Sequence, residues 1–471
     1  MKVKLGIFIF FFGLSVFFYA AVFSQNTASQ KVYVKKIEIS GNEKTKPGVI
    51  LRELTLKKGD SVSVKDIPEL LKNSEVNLLK LPLFNFAEIN FSYIDSSNIE
   101  INVNVIERWY FWPQIAVYYA DRNFSNWLKN KDFSRTDLGL GITKYNFGGR
   151  NEKLTFFTVF GYDRELIFRY ENFYFDKARK HSGAFYVSRL KRKETGCIIE
   201  DDEVKQIKLS DEYALKSYNI SFKYNFRKGY YRNNSVYAGF EHRSVSDSLL
   251  LCNPGYFTVS DNDVDYFYLK YIFLSDKRDS RVFPLEGHKF KFTLIKNGLK
   301  IFQGNGINSF KIKAEISEYI PLSDKLFFGN NVTAQTTLGD KNPFFLNTAL
   351  GYSSSIRAYE YYAVNGSDFI LVKNTLNFEL LPKKIIHLKF LPWDKFNTSF
   401  IRIFADAFVD FAYVNNDDPV YDAANDLANT FLIGAGAGIN VLTYYDWLFR
   451  LDFSVNKRGE SGFYLHFEAP F

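Results

Sequence analysis

The segment GFYLHFEAPF, Gly462–Phe471, decides the reading of this chain. Phe463, Leu465, Phe467, Ala469 and Phe471 fall on one face of an extended segment, and Tyr464, His466 and Glu468 on the other. Successive side chains of a strand point to opposite faces. One face therefore suits lipid and the other a watery interior.

The same pattern extends upstream. From Tyr110 to Phe471, segments of about ten alternating residues recur, the length a membrane-crossing strand needs. Sixteen can be drawn, the first near 110–120, two later ones near 369–381 and 398–413, and the last near 462–471. Connections alternate between short ("FGGR", "DKARK", "PLSD") and long, as in a transmembrane barrel with short turns on one rim and long loops on the other. A soluble sandwich or propeller explains the alternation but not the asymmetry. Only a closed barrel satisfies every backbone group of strands in lipid. With 50 Phe and 31 Tyr in 471 residues, the composition favours strands. The mean hydropathy of -0.19 argues against a bundle of membrane helices and is silent on a barrel.

Residues 31–108 differ. "VYVKKIEISG" alternates and ends in Gly41, and "TKPGVILREL" carries helix-start signals at Thr45 and Pro47. "SVSVKDIPELLKNSEVNLLKL" puts Val64, Ile67, Leu70, Leu71 and Leu78 near one helical face. "LFNFAEINFSYI" and "NIEINVNVIER" are two alternating runs around the turn "DSSN". The order strand, helix, helix, strand, strand predicts two helices on a three-stranded sheet. At the N-terminus, Lys2 and Lys4 precede a long apolar run, which reads as a signal peptide over 1–24, with a membrane anchor as the alternative.

The formal charge of +8 is scattered, with no basic stripe and no zinc spacing, so nucleic acid is not an expected partner and anionic lipid headgroups are. The five histidines are dispersed, no G-x-S-x-G elbow occurs, and "FGGRN" is too short for a phosphate loop. No enzyme, cofactor or metal centre is expected. Asp201-Asp202 and Asp417-Asp418 read as solvated loop acids, with weak calcium binding as the other option. Cys197 and Cys252 fall in two connections on one rim and are a candidate disulfide, whose spacing in space the sequence does not set.

The small-domain order, with "LPLFNFAEINF" and "VIER", resembles a POTRA domain. The terminal Phe463, Leu465, Phe467 and Phe471 resemble the C-terminal signal of outer-membrane barrels. "IRAY", Ile356–Tyr359, resembles the (I/V)-R-G-(F/Y) loop signature of the BamA/TamA-type outer-membrane assembly family, with Ala358 in place of Gly. "TLNFELLP" and "IFADAFVDFAYV" resemble that family's twelfth and thirteenth strands, and "DKRDSRVFPLEGHKF" its turn into the ninth. The resemblance implies a mainly β fold: a POTRA domain over 31–108 and a sixteen-stranded barrel over 109–471. It implies that Arg357, with Tyr359, folds into the lumen as a loop latch onto wall acids, here Glu379 and Asp406. Alternation puts Arg402, Asp406 and Asp410 on one face. The implied function is insertion of barrel proteins into the outer membrane, with the POTRA domain in the periplasm. Unfolded outer-membrane proteins or secreted polypeptides, lipids and accessory assembly subunits are the implied partners. A polypeptide translocator of the two-partner secretion type and a passive channel are the alternatives.

Overall fold

The computed structural model describes residues 30–119, 136–257, 261–299, 307–339, 342–387, 398–417, 421 and 424–468. The expected signal peptide and Phe471 lie outside them.

The small domain contains β1 (Lys31–Ser40), α1 (Pro47–Glu53), β2 (Ser61–Ser63), α2 (Ile67–Leu79), β3 (Phe84–Tyr93) and β4 (Asn98–Glu107). Its sheet has the order β2-β1-β4-β3, with β1 and β4 parallel. The expected three-stranded sheet gains β2. "SVS" precedes the helix instead of belonging to it, and pairs antiparallel with Lys31–Tyr33. Pro47 starts α1, where its missing N–H costs nothing. Val49 and Ile50 of α1 and Ile67, Leu71 and Leu78 of α2 pack on Val32, Val34, Ile99, Ile101 and Val103. Burying each such side chain is worth about 1.5–3 kcal/mol, which is what holds a domain this small together.

The remaining strands are β5 (Phe111–Tyr119), β6 (Thr136–Phe147), β7 (Glu152–Gly161), β8 (Arg164–Tyr174), β9 (His181–Arg192), β10 (Glu194–Glu200), β11 (Glu203–Lys208), β12 (Leu215–Lys228), β13 (Arg232–Val245), β14 (Asp263–Asp276), β15 (Gly287–Asn297), β16 (Ser309–Pro321), β17 (Leu326–Gly339), β18 (Thr348–Leu350), β19 (Val364–Asn365), β20 (Asp368–His387), β21 (Thr398–Asn415), β22 (Phe431–Thr443), β23 (Trp447–Asn456) and β24 (Ser461–Glu468). Sixteen form one sheet in sequence order, β5 to β24, while β10-β11 and β18-β19 are separate hairpins within long connections. Every adjacent pair is antiparallel, and the protein is a mainly β, sixteen-stranded barrel preceded by the small α+β domain. β20 runs six residues past its expected end, through bulges at Glu379–Lys384.

The alternation survives in three dimensions. Leu138, Leu140 and Ile142 of β6, Ile220 and Phe222 of β12, and Phe449, Leu451 and Phe453 of β23 are all exposed, two residues apart, while the residues between them turn inward. Phe463, Leu465 and Phe467 are exposed on the same outer surface.

The small domain sits against the rim carrying the short turns, the near rim. Lys46 donates its backbone N–H to the Gly149 carbonyl at 2.9 Å, Tyr230 Oη donates to the Leu54 carbonyl at 2.6 Å, and Arg52 Nη1 donates to the Arg179 carbonyl at 2.6 Å. At the far rim, α3 (Asp247–Cys252) carries Cys252, which is disulfide-bonded to Cys197 of β10, with Cα atoms 6.2 Å apart.

Candidate functional site: the inward loop and the docked domain

The connection from β17 to β20 returns into the barrel instead of standing in solvent. Ile356, Ala358 and Tyr359 are buried with Leu350, Phe369, Leu371, Ala412, Val414 and Leu432. This apolar packing brings the Arg357 backbone against the wall at Gly434 of β22. A Cβ on Gly434 would lie 2.1 Å from the Arg357 carbonyl oxygen. Only a residue without a side chain allows that approach.

Arg357 then meets Asp410. Its Nε donates to Oδ2 at 2.8 Å, its Nη2 to Oδ1 at 2.5 Å, and its backbone N–H to Oδ2 at 3.2 Å. Asp410 is 0% exposed. Nη2 also donates to Thr375 Oγ1 at 3.0 Å, and the guanidinium lies 3.8 Å over the Phe408 ring. A forked, charge-assisted pair beside an aromatic face is the strong form of this contact. Tyr359 Oη donates to the Ile433 carbonyl at 3.1 Å, and Asn456 Nδ2 to the Ala358 carbonyl at 3.1 Å, so β20, β21, β22 and β23 all grip the tip.

The expected partners of Arg357 are corrected by this geometry. Glu379 takes Arg402 Nε at 2.5 Å, and Asp406 takes Asn440 Nδ2 at 2.7 Å. All of these acids face inward, but Asp410 is four residues nearer the far rim than Asp406, about 13 Å along a strand. A loop entering from the far rim reaches Asp410 first, and Phe408, standing where the resemblance implies Gly, puts its ring beneath the guanidinium. Loop depth is not written in strand alternation. Ala358 has φ +72°, the left-handed region in which a Cβ is strained.

The acids expected to be solvated also differ. Asp201 and Asp202 form the two-residue turn of the β10-β11 hairpin, both with positive φ, as a tight hairpin requires. The turn places Asp202 inside. Its carboxylate accepts the Leu427 N–H at 3.0 Å and pairs with Arg458 Nη2 at 2.5 Å. The hairpin is thereby tied to the β21–β22 connection and to the β23–β24 turn. Asp417 is exposed.

A second set of contacts, at the near rim, was not singled out by sequence reasoning. Glu53, the last residue of α1, is fully buried, and Arg227 of β12 forks onto it with both contacts at 2.6 Å. Arg52 adds bonds at 3.0 and 2.9 Å. Burial alone would raise the Glu53 carboxyl; the two arginines more than reverse that and hold it below the ordinary glutamate value. Arg108 pairs with Asp446 at 2.8 Å, and Trp109 donates its backbone N–H to Tyr445 Oη at 3.0 Å. "VIER" ends in these contacts, but no local pattern marks Glu53, because its partner lies 174 residues away.

The β5 and β24 edges differ from every other pair of neighbours. Among the described residues no hydrogen-bonded ladder joins them, although each barrel strand between them is paired on both sides. Ile115 of β5 is 77% exposed, and Phe463 and Leu465 of β24 are 73% and 75% exposed. Leu140 of β6, at 39%, has a laddered strand on each side.

A sixteen-stranded barrel with an inward far-rim loop and a docked α+β domain defines an outer-membrane β-barrel of the assembly and transport class. The chain belongs to the Omp85 superfamily. The Omp85 superfamily domain matches residues 146–467, and the POTRA family, described as a surface antigen variable number repeat, matches residues 32–108. Among solved structures it is similar to BamA from Haemophilus ducreyi lacking POTRA domains 1–3, at 17% identity and TM-score 0.50, over 90% of this chain and 81% of that one. It is also similar to CdiB from Escherichia coli, at 11% identity and TM-score 0.53, over 93% of this chain and 76% of that one. At these identities the likeness is one of fold. Omp85 proteins are assembly or transport factors.

Proposed function

We propose that the protein is an outer-membrane β-barrel insertase. The observation that carries this reading is that, among the described residues, no ladder joins β5 and β24 in a sheet whose other neighbours are all paired. Unpaired strand edges are templates for another strand, and in lipid an incoming strand must find partners for its backbone. The POTRA domain offers a second edge at β3, paired only to β4, on which an extended client can add as a strand before reaching the seam. In this reading the near rim and the POTRA domain face the periplasm, and the clients are unfolded outer-membrane proteins. The Arg357 loop is the latch that keeps the wall in register while the seam works. No covalent chemistry is required.

The test is liposome insertion of an unrelated small barrel protein, timed with wild type and with a disulfide engineered between β5 and β24. Faster insertion by wild type, abolished by the lock and restored by reductant, is the expected result. If the lock changes nothing while the liposomes pass an unfolded polypeptide, the insertase reading fails and a translocator takes its place. A translocator has to displace the Arg357 loop and the Asp202 turn from the far rim. The insertase does not.

A further inference from the structure

A cavity of 460 Å³ lies between the end of α2 and the lumen wall at the near rim. Its charge is one-sided. Most of its cations are already spoken for: Arg52 and Arg227 hold Glu53, Arg278 holds Asp276 with contacts of 2.9 and 2.8 Å, and Lys291 and Lys289 share Glu315 at 2.9 and 3.6 Å. Lys80, Arg179 and Arg281 also line the cavity, and among the described residues none of their side chains makes a hydrogen bond or ion pair with the protein. Lys80 only lies 5.4 Å over the Tyr231 ring. Burial holds the Lys80 ammonium below the usual lysine value, with the Asp276 carboxylate opposing it and the like charge of Arg281 adding to it, and burial likewise lowers Arg281, against Asp276, and Arg179. Three cations thus line one space without carboxylates bonded to them, Lys80 and Arg281 acting on each other with only the Asp276 charge to offset them, a costly arrangement when nothing fills it.

We propose that this chamber binds a phosphoryl-bearing anion, with Lys80, Arg179 and Arg281 as its ligands and Asn233 and Tyr231 beside them. The surrounding donors fit a group that brings only acceptors. A phosphoryl group offers three acceptor oxygens and a charge near −2, and guanidinium forks match its geometry. An acidic peptide fits less well. Each of its backbone N–H groups needs an acceptor, for which the lining offers only scattered side-chain amides and hydroxyls beside engaged carboxylates, and β12, β13, β14 and β15 are each laddered on both sides and offer no free edge. A soluble phosphate monoester or pyrophosphate presents this group in full, and a phospholipid headgroup presents the related phosphodiester, with two free oxygens and a single charge. The site does not depend on the insertase reading, because binding is measured with no client present.

The test is titration calorimetry on the full chain in uncharged detergent, with pyrophosphate, with dihexanoyl phosphatidylglycerol below its micelle concentration, and with hexa-aspartate. Pyrophosphate is expected to bind and to weaken at least tenfold in K80Q/R281Q, since one lost charge-assisted bond is worth about tenfold or more. K80R/R281K keeps both charges and should bind more tightly than K80Q/R281Q, although R281K gives up the guanidinium fork. Binding of the short-chain lipid in competition with pyrophosphate assigns the site to a headgroup; binding of pyrophosphate alone assigns it to a soluble phosphoryl compound. If K80Q/R281Q does not fold, R179Q is read with the same expectation. Unchanged pyrophosphate binding in the folded variant overturns the proposal. So does no binding of either phosphoryl probe, or hexa-aspartate binding more tightly than both.

Discussion

Replacing Arg357 by Ala removes at once every donor that its side chain aims at Asp410 and Thr375, and leaves Tyr359 Oη on the Ile433 carbonyl. Asp410, 0% exposed, would keep only the residue-357 backbone N–H at 3.2 Å and the charge of Lys373, its partner across β20 and β21. Stripping one member of a buried pair costs about 3–5 kcal/mol, chiefly for the charge left behind; Lys373 pulls the figure toward the lower end, about 3 kcal/mol. That is a change of roughly 150-fold in the ratio of docked to undocked loop. Ala349, 2% exposed in the same cluster as the loop tip, is a place to read it. In an A349C background the thiol reacts with a labelling reagent only when the loop leaves the wall, so labelling rate follows open population. R357A should label about 100-fold faster. R357A/D410A should label several-fold more slowly than R357A, because no charge is then stranded. Equal rates in the two variants, or R357A within about threefold of the parent, would refute the idea that this buried pair holds the loop.

Ala358→Gly relieves the strain of φ +72°, worth about 1–2 kcal/mol, and should slow A349C labelling by about five- to thirtyfold; faster labelling would show that the tip is unstrained. Gly434→Ala drives a Cβ to 2.1 Å from the Arg357 carbonyl oxygen and should cost about 1–3 kcal/mol, read as faster labelling and a lower melting temperature; an unchanged melt would count against the close approach. Glu53 has a folded value depressed below 4.5, so its contribution to POTRA docking is full above that value and is lost as pH falls through the folded one. Tryptophan fluorescence of Trp109 and Trp112 should therefore report undocking below about pH 4.5, at the onset of carboxyl titration. Glu53→Gln should weaken docking at neutral pH and flatten that acid transition, and an identical transition in E53Q would assign it to other carboxyls.

The barrel was legible because lipid on one side and water on the other impose a period of two on every strand, and that pattern needs no knowledge of neighbours. The inward direction of Asp406 and Asp410 followed from the same period. Which of them Arg357 reaches did not, since it depends on how deep a long loop inserts, set by packing of Ile356 and Leu427 from two connections on Leu432 of β22. Asp202 was misread for a related reason: a loop acid is solvated by default, and only the hairpin turn beneath it turns it inward. "SVS" was absorbed into a helix because three residues carry too little periodicity to oppose the run after them. Glu53 shows no signal at all, because it is a polar helix end whose meaning comes from a distant arginine.

Three residues, Arg108, Trp109 and Tyr110, separate β4 from β5. The POTRA domain is thus rigidly coupled to the strand that forms one lip of the seam, with Arg108 and Trp109 clasping the β22–β23 turn near the other lip. At its other end, Glu53 and Leu54 hold Arg227 and Tyr230 at the β12–β13 turn, six strands round the wall from β5. The domain is a strut laid across the mouth as a chord. Widening the barrel along that chord puts the strut in tension, and Glu53 with its two arginines is where that tension is borne. A load on the POTRA sheet edge is consequently a torque on β5, delivered through a lever with almost no slack.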